Sequence, residues 1–152
     1  MRRLSGIRSL GYREAVELAE PLLRQHWQEV ARNKDLMVLS PSHEVYEAMD
    51  QAGVLFILGM FAEGDLIGYS CNIVTPHLHY SGLTVCQNDV LYLDPDYRNG
   101  GAGIRLMTAT EREARSRGAR LVLWHAKDGS LMDKLLERRG YDVQDIVYSK
   151  AL

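Results

Sequence analysis

Three glycines within four positions, Gly100, Gly101 and Gly103, separate the apolar run Asp89–Leu93 from an amphipathic run that begins at Ile104. A strand entering a helix through such a turn can hold an anion. The first N–H groups of a helix lack internal partners, and they sit at the positive end of its dipole. Glycine lets the main chain approach oxygen atoms closely, and a pyrophosphate is the natural guest of such a turn. A mononucleotide loop would need Lys followed by Ser or Thr after the last glycine, but Ile104-Arg105 stands there. A dinucleotide fingerprint would need G-x-G-x-x-G and an acidic residue ending the next strand; that strand ends in His125. The spacing that remains is Arg98-x-x-Gly101-x-Gly103. By itself it fits a diphosphate cradle or a tight strand-to-helix connection equally well.

The titratable residues near this turn come next. Asp89 lies in the strand, and simple alternation puts it on the face of Leu91 and Leu93. It can serve as a general base or as a strand-end carboxylate that binds N–H groups or a cation. Asp94 and Asp96 flank Pro95 and read as turn chemistry. His77 and His79 sit on a loop, with no third ligand at metal spacing, so zinc is not expected. His125 ends a short strand, where it can contact a ligand or hydrogen-bond within the core. Cys71 and Cys86 form neither a redox pair nor a disulfide framework and suit a reducing cytoplasm.

These residues need elements to position them. Leu18, Leu22, Leu23, Trp27 and Val30 recur at helical spacing around Pro21, which predicts two helices or one kinked there. Ser40 as cap and Pro41 in the first turn predict a short helix with Val45, Tyr46 and Met49 on one face. Val54–Ala62 and Leu66–Thr75 read as a hairpin turning at Glu63-Gly64-Asp65. Val85–Leu93 is a third strand. Ile104–Arg117 is a helix with Leu106, Met107, Thr110 and Ala114 inward, stopped by Gly118. Leu121–His125 is a strand. Ser130 with Asp133 opens a helix carrying Lys134, ended by Gly140, and Tyr141–Tyr148 reads as a last strand. The order predicts one α/β domain over residues 1–152, three-layered (α/β/α), with a central mixed, mostly antiparallel sheet.

Composition agrees with a single core: 152 residues, 46% hydrophobic and 25% charged. A net charge of -2 argues against nucleic acid and anionic lipid as partners. Met1–Gly11 has arginines but no apolar leader core, and Val54–Ala62 is too short to span a bilayer.

The whole pattern resembles the GCN5-related N-acetyltransferase (GNAT) superfamily. Pro76–Tyr80, Asn88–Leu93, Trp124–Lys127, Leu135–Tyr141 and His26–Glu29 are similar to a GNAT group often found among phage and prophage genes. The resemblance implies transfer of acetyl from acetyl-CoA, as co-substrate, to a primary amine on a small molecule or protein. It implies a pantetheine arm along Leu91, Tyr92 and Leu93. The main chain of Arg98, Asn99, Gly100, Gly101, Ala102 and Gly103 would hold the pyrophosphate. Lys134 would touch the coenzyme or simply face solvent. His26, Glu29, His77, His79 and His125 would border the acceptor. Many members carry a tyrosine at the position of Leu136 to protonate the leaving thiolate; here Tyr148 or Ser130 would serve, or the thiolate leaves unaided. A homodimer is a further implication. The competing expectation is a catalytically silent acyl-CoA-binding module.

Overall fold

The computed structural model describes residues 2–152; Met1, where the arginine-bearing N-terminal segment begins, lies outside them. The chain runs β1 (Leu4–Leu10), α1 (Tyr12–Val30), α2 (His43–Gln51), β2 (Leu55–Ala62), β3 (Asp65–Pro76) and β4 (Thr84–Leu93). A single turn at Pro95–Tyr97 leads to α3 (Ala102–Ser116), β5 (Leu121–Leu123) and α4 (Leu131–Arg138). One sheet has the order β1-β2-β3-β4-β5. Its first three pairings are antiparallel and β4 with β5 is parallel.

Helices cover both faces of this sheet. β2 is buried along its full length, as expected for a central strand covered on both sides. On one face Phe56, Leu58 and Met60 pack with Ala102, Leu106 and Ala114 of α3. On the other, Leu55, Ile57 and Cys71 pack with Tyr12 and Ala15 of α1 and, at the margin, with Tyr46 and Met49 of α2. The predicted three-layer arrangement is the observed one.

Several local expectations are corrected. β1 had no counterpart in the sequence reading, because Ser5, Gly6 and Arg8 break its apolar pattern. It is an edge strand, and Arg8 lies over the Phe61 ring at 4.7 Å. α1 is one helix despite Pro21. Pro21 is exposed, so the carbonyl it leaves without a donor faces water rather than the core. α2 starts later than predicted, with Ser42 rather than Ser40 at its cap, and Val45 is exposed beside inward Tyr46 and Met49. Tyr141–Tyr148 is not a strand. Asp145 breaks its alternation, and β5 offers a partner only three residues long. α4 meets its expectation: Ser130 Oγ accepts from the Asp133 N–H at 3.2 Å, and Asp133 accepts from Gly129 N–H at 2.8 Å.

The feature that matters most for function is a β-bulge in β4. Asn88 pairs with Asn72 of β3 and Val90 pairs with Cys71, so Asp89 is a surplus residue. A fully buried polar cluster sits behind it, made of Ser70, Asn72, Asn88 and Thr110. The Asn88 amide donates to Asn72 Oδ1 at 2.9 Å and to the Val90 carbonyl at 3.0 Å, spanning the bulge. Thr110 Oγ1 of α3 lies 2.9 Å from Ser70 Oγ and 2.9 Å from the Leu106 carbonyl. Among the described residues no buried side-chain polar atom lacks a partner. Replacing Asn88 by Leu keeps the branched skeleton, somewhat enlarged, but removes the amide donor to Asn72 and the Val90 carbonyl. The expected cost is about 1–3 kcal/mol in urea unfolding. A loss below about 0.5 kcal/mol, the range of ordinary surface changes, would show that the amide does not hold the bulge.

Candidate functional site

The bulge resets the faces of β4. Asn88 packs on the α3 side, and Leu91 and Leu93 also join the α3-side core. Val90 and Tyr92 belong to the α1 side. Asp89 lines a cleft on the α1 side together with Val90, so it does not share a face with Leu91 and Leu93. The alternation used in the sequence reading fails at the extra residue.

The bulge also opens the sheet. β4 and β5 pair only from Val85/Leu121 to Gln87/Leu123, and beyond that the β5-side edge of β4 is free. Asp94 N–H donates to Ile67 of β3 at 2.8 Å. Alternation back from there points the main-chain groups of Tyr92 toward β3 and those of Leu91 and Leu93 toward the open edge. The Leu93 carbonyl is already used by Arg98 Nε at 2.9 Å. The Leu93 N–H and both main-chain groups of Leu91 remain free to pair with an extended ligand.

The glycine turn continues from this edge. Gly101 caps α3 in the left-handed region, with φ +78°, where a side chain is strained. A Cβ at Gly100 or Gly101 would meet open space, so the outer face of the turn is clear. The N–H groups from Asn99 to Ile104 make no hydrogen bond among the described residues; the first helical bond is Arg105 N–H to the Gly101 carbonyl. Ala102 is buried, and Gly103 sits against Leu93, which joins the helix start to the strand end. A free strand edge running into unpaired amides at a helix N-terminus suits a ligand with an extended arm and an anionic group.

Arg98 does not extend toward that turn. Its guanidinium forms a fork on Glu29 of α1, at 2.5 and 2.8 Å, and Tyr92 Oη donates to Glu29 at 3.0 Å. His26, one turn earlier, sits 2.9 Å from Tyr69 Oη and stacks on Tyr92 at 4.6 Å. These residues join α1 to the strand just before the glycine turn. Burial, assisted by Arg98 and Lys127 and opposed by Glu29, lowers His26 to about 4. The Arg98 guanidinium holds the Glu29 carboxyl below its usual range, and burial raises the Tyr69 hydroxyl.

Elsewhere in the cleft, Tyr46 of α2 donates its hydroxyl to Asp89. Burial first, and then this bond, push the Tyr46 hydroxyl above its ordinary value, so it keeps its proton. Sequence reasoning missed Tyr46 in this role and missed the Ser70–Asn72–Asn88–Thr110 cluster. Polar residues in a run of strand apolars were the available signal. Cys71 and Cys86 are free and buried, and burial raises both thiols, Cys86 to about 11. Neither supplies a thiolate.

The other anticipated residues lie apart. His77 and His79 occupy the β3–β4 loop at the far end of β4 from the glycines, with His77 Nδ1 accepting from His79 N–H at 3.0 Å. His125 is exposed two residues past the point where β4 and β5 diverge. Ser130 caps α4, Lys134 is in its first turn, and Tyr148 is 88% exposed on the segment after it. Among the described residues no three His, Cys, Asp or Glu side chains gather as metal ligands, and no helix is long and apolar enough to cross a membrane.

A mixed sheet that splays beside a bulge, with a glycine turn at the end of the free edge, defines the class of domain. Residues 15–141 match the model of the acetyltransferase (GNAT) family, and the chain belongs to that family. No curated protein matches it. Among solved structures it is similar to a ribosomal-protein-alanine N-acetyltransferase from Brucella melitensis biovar Abortus: 22% identity, 97% of this chain and 99% of that one, TM-score 0.71. A GCN5-related N-acetyltransferase from Ralstonia eutropha superposes with TM-score 0.76 at 19% identity, over 96% and 97% of the two chains. AAC(6')-Iy, in complex with a bisubstrate analog of CoA and acetylneamine, gives TM-score 0.64 at 21% identity over 97% and 98%. At these identities the likeness is one of fold.

His26 gives the site a pH signature. Its folded value, about 4, lies below the ordinary 6.5, so between these values the unfolded chain binds a proton that the folded chain does not. Stability therefore falls as pH drops from 6.5 toward 4, with a slope approaching about 1.4 kcal/mol per pH unit. Glu29 is lowered as well, but its contribution is lost only below its ordinary 4.5, outside this window. Urea unfolding from pH 7 to 4.5 should show the slope in the wild type and lose it in His26→Gln. A slope that survives the substitution would assign the proton elsewhere.

Proposed function

We propose that this chain is an N-acetyltransferase that moves acetyl from acetyl-CoA to a primary amine. One observation carries the reading: the free main-chain edge at Leu91 and Leu93 leads directly to the unpaired amides of Asn99–Ile104. The residues present fit the coenzyme, since Gly100 and Gly101 leave the turn open where a Cβ would project. When bound, acetyl-CoA supplies an acyl group activated as a thioester.

The chain's own groups do the rest. Leu91 and Leu93 pair with the pantetheine arm, and the main-chain N–H groups of Asn99–Gly103 hold the pyrophosphate, the Arg98 N–H being given to the Pro95 carbonyl at 3.2 Å. The Arg98 side chain acts indirectly, by tying the turn to Glu29 of α1. A strand-edge N–H aimed at the thioester oxygen contributes on the order of 2.7–4 kcal/mol as negative charge develops there. Asp89 takes a proton from the acceptor ammonium, whose free pKa is about 10.4 if lysine-like. Leu136 cannot protonate the departing sulfur, and Tyr148 is held in solvent, so the sulfur takes its proton from water at the open mouth. Lys134 and Ser130 border the coenzyme on the α4 side, and His125 borders the opening.

A homodimer belongs to the same proposal; Val143 and Val147 are 81% and 86% exposed on the C-terminal segment, and a second copy would cover them. Two buried free thiols support a reducing cytoplasm as its location.

The test pairs calorimetry with a thiol-release assay over a panel of amines. CoA and acetyl-CoA are expected to bind, and thiol should appear only when an amine is present. Asp89→Asn should lower kcat by about 10²–10⁴ and leave CoA affinity intact. Gly101→Val should do the reverse and weaken CoA binding, because it strains the left-handed turn. Heat with CoA but no amine-dependent thiol would favour a silent acyl-CoA-binding module instead.

A further inference from the structure

The cleft that contains Asp89 has a volume of about 320 Å³, within the range of small-molecule sites. Its walls are apolar and aromatic: Tyr12, Leu23 and Trp27 from α1, Met37 and Leu39 from the α1–α2 loop, and Val90 from the floor. Among the described residues, Asp89 is the only charged one that lines it. The other acids nearby are engaged: Glu47 with Arg13 at 2.6 Å, Asp50 with the Tyr12 N–H at 2.9 Å, and Glu29 with Arg98. Asp89 itself has one partner, the neutral hydroxyl of Tyr46, and joins no ion pair among the described residues. The loop wall is fixed to α1 by Trp27 Nε1, which donates to the Met37 carbonyl at 2.6 Å.

We infer that the acceptor is a monocationic primary amine carried on an apolar body about the size of a phenylethyl or short alkyl group. This deepens the acetyltransferase reading and rests on it for the chemical step, but not for the binding it predicts. A single carboxylate at the floor of an apolar cleft satisfies one ammonium. A polyamine or aminoglycoside would bring further cations and hydroxyls into these walls. Besides Asp89, their polar side-chain groups are the Ser40 and tyrosine hydroxyls, the Cys71 thiol and the engaged Trp27 indole, none of them charged, and each polar group buried unpaired is costly. Two strand rises separate Asp89 from Leu91, about 7 Å, which brings an amine at Asp89 near an acyl group held on the free edge.

The step balances as follows. The acceptor ammonium gives one proton to the Asp89 carboxylate. Its lone pair forms the N–C bond at the acyl carbon, and the C–S bond breaks. The second nitrogen proton goes to solvent, the sulfur leaves as thiolate and becomes thiol by taking a proton from water, and Asp89 returns its proton to solvent.

The test uses the full chain and 2-phenylethylamine, with 2-phenylethanol as the uncharged analogue and spermidine and neamine as polycations. Binding is read by calorimetry and by Trp27 fluorescence, and turnover by thiol release. 2-Phenylethylamine should bind about ten- to a hundredfold more tightly than 2-phenylethanol, and Asp89→Asn should erase that difference. Leu39→Asn, an uncharged polar change at a 37%-exposed loop position, should weaken both ligands. Tighter binding or faster turnover with spermidine or neamine would overturn the inference while the acetyltransferase reading stands. So would equal binding of amine and alcohol to the wild type. Charge-selective binding of 2-phenylethylamine without amine-dependent thiol would uphold the inference and remove the transferase reading.

Discussion

The Asn88 amide holds this structure in its working shape. It reaches across one surplus residue to the Val90 carbonyl and sideways to Asn72, in a cluster closed from above by Thr110 of α3. Asn88 is 2% exposed, so its bonds form in a medium where an unpaired amide is heavily penalised. That penalty fixes the kink in β4. From the kink follow the divergence of β4 and β5, the free edge at Leu91 and Leu93, and the position of Asp89 in the opposite cleft.

α1 is the second organising element, because it touches both halves of the site. Its N-terminal half supplies Tyr12 and Ala15 to the cleft. Its C-terminal half supplies His26 and Glu29, which grip Tyr69, Tyr92 and Arg98. The Glu29–Arg98 fork is charge-assisted and two-pronged, a geometry that fixes direction as well as distance. The helix thus connects the acceptor cleft to the start of the glycine turn through packed aromatic rings.

Much of this was legible before any coordinates. The glycine spacing, the Ser130–Asp133 cap, the buried β2 run and the inward face of α3 are local patterns, and each was found where expected. Features that depend on partners were not legible. Whether Tyr141–Tyr148 forms a strand is decided by the length of β5 as well as by its own alternation. β1 is a strand because β2 offers it an edge, despite Gly6 and Arg8. The bulge is invisible to alternation, which assumes that no residue is surplus, and so alternation assigns Asp89 to the wrong face. Tyr46 meets Asp89 only through a long-range contact between α2 and β4, which no spacing rule encodes.

The surplus residue has a mechanical consequence for the strand that follows it. Every side chain from Val90 onward is offset by one place from the ladder that precedes Asn88. Taking that residue into the ladder, so that Asp89 rather than Val90 faced Cys71, would exchange the two linings: Leu91 and Leu93 would turn toward α1, and Val90 and Tyr92 toward α3. What each side of the sheet presents to its ligand is therefore written in how many residues of β4 the ladder skips, and a slip of one unit would rewrite both surfaces without altering the type of any residue that lines them.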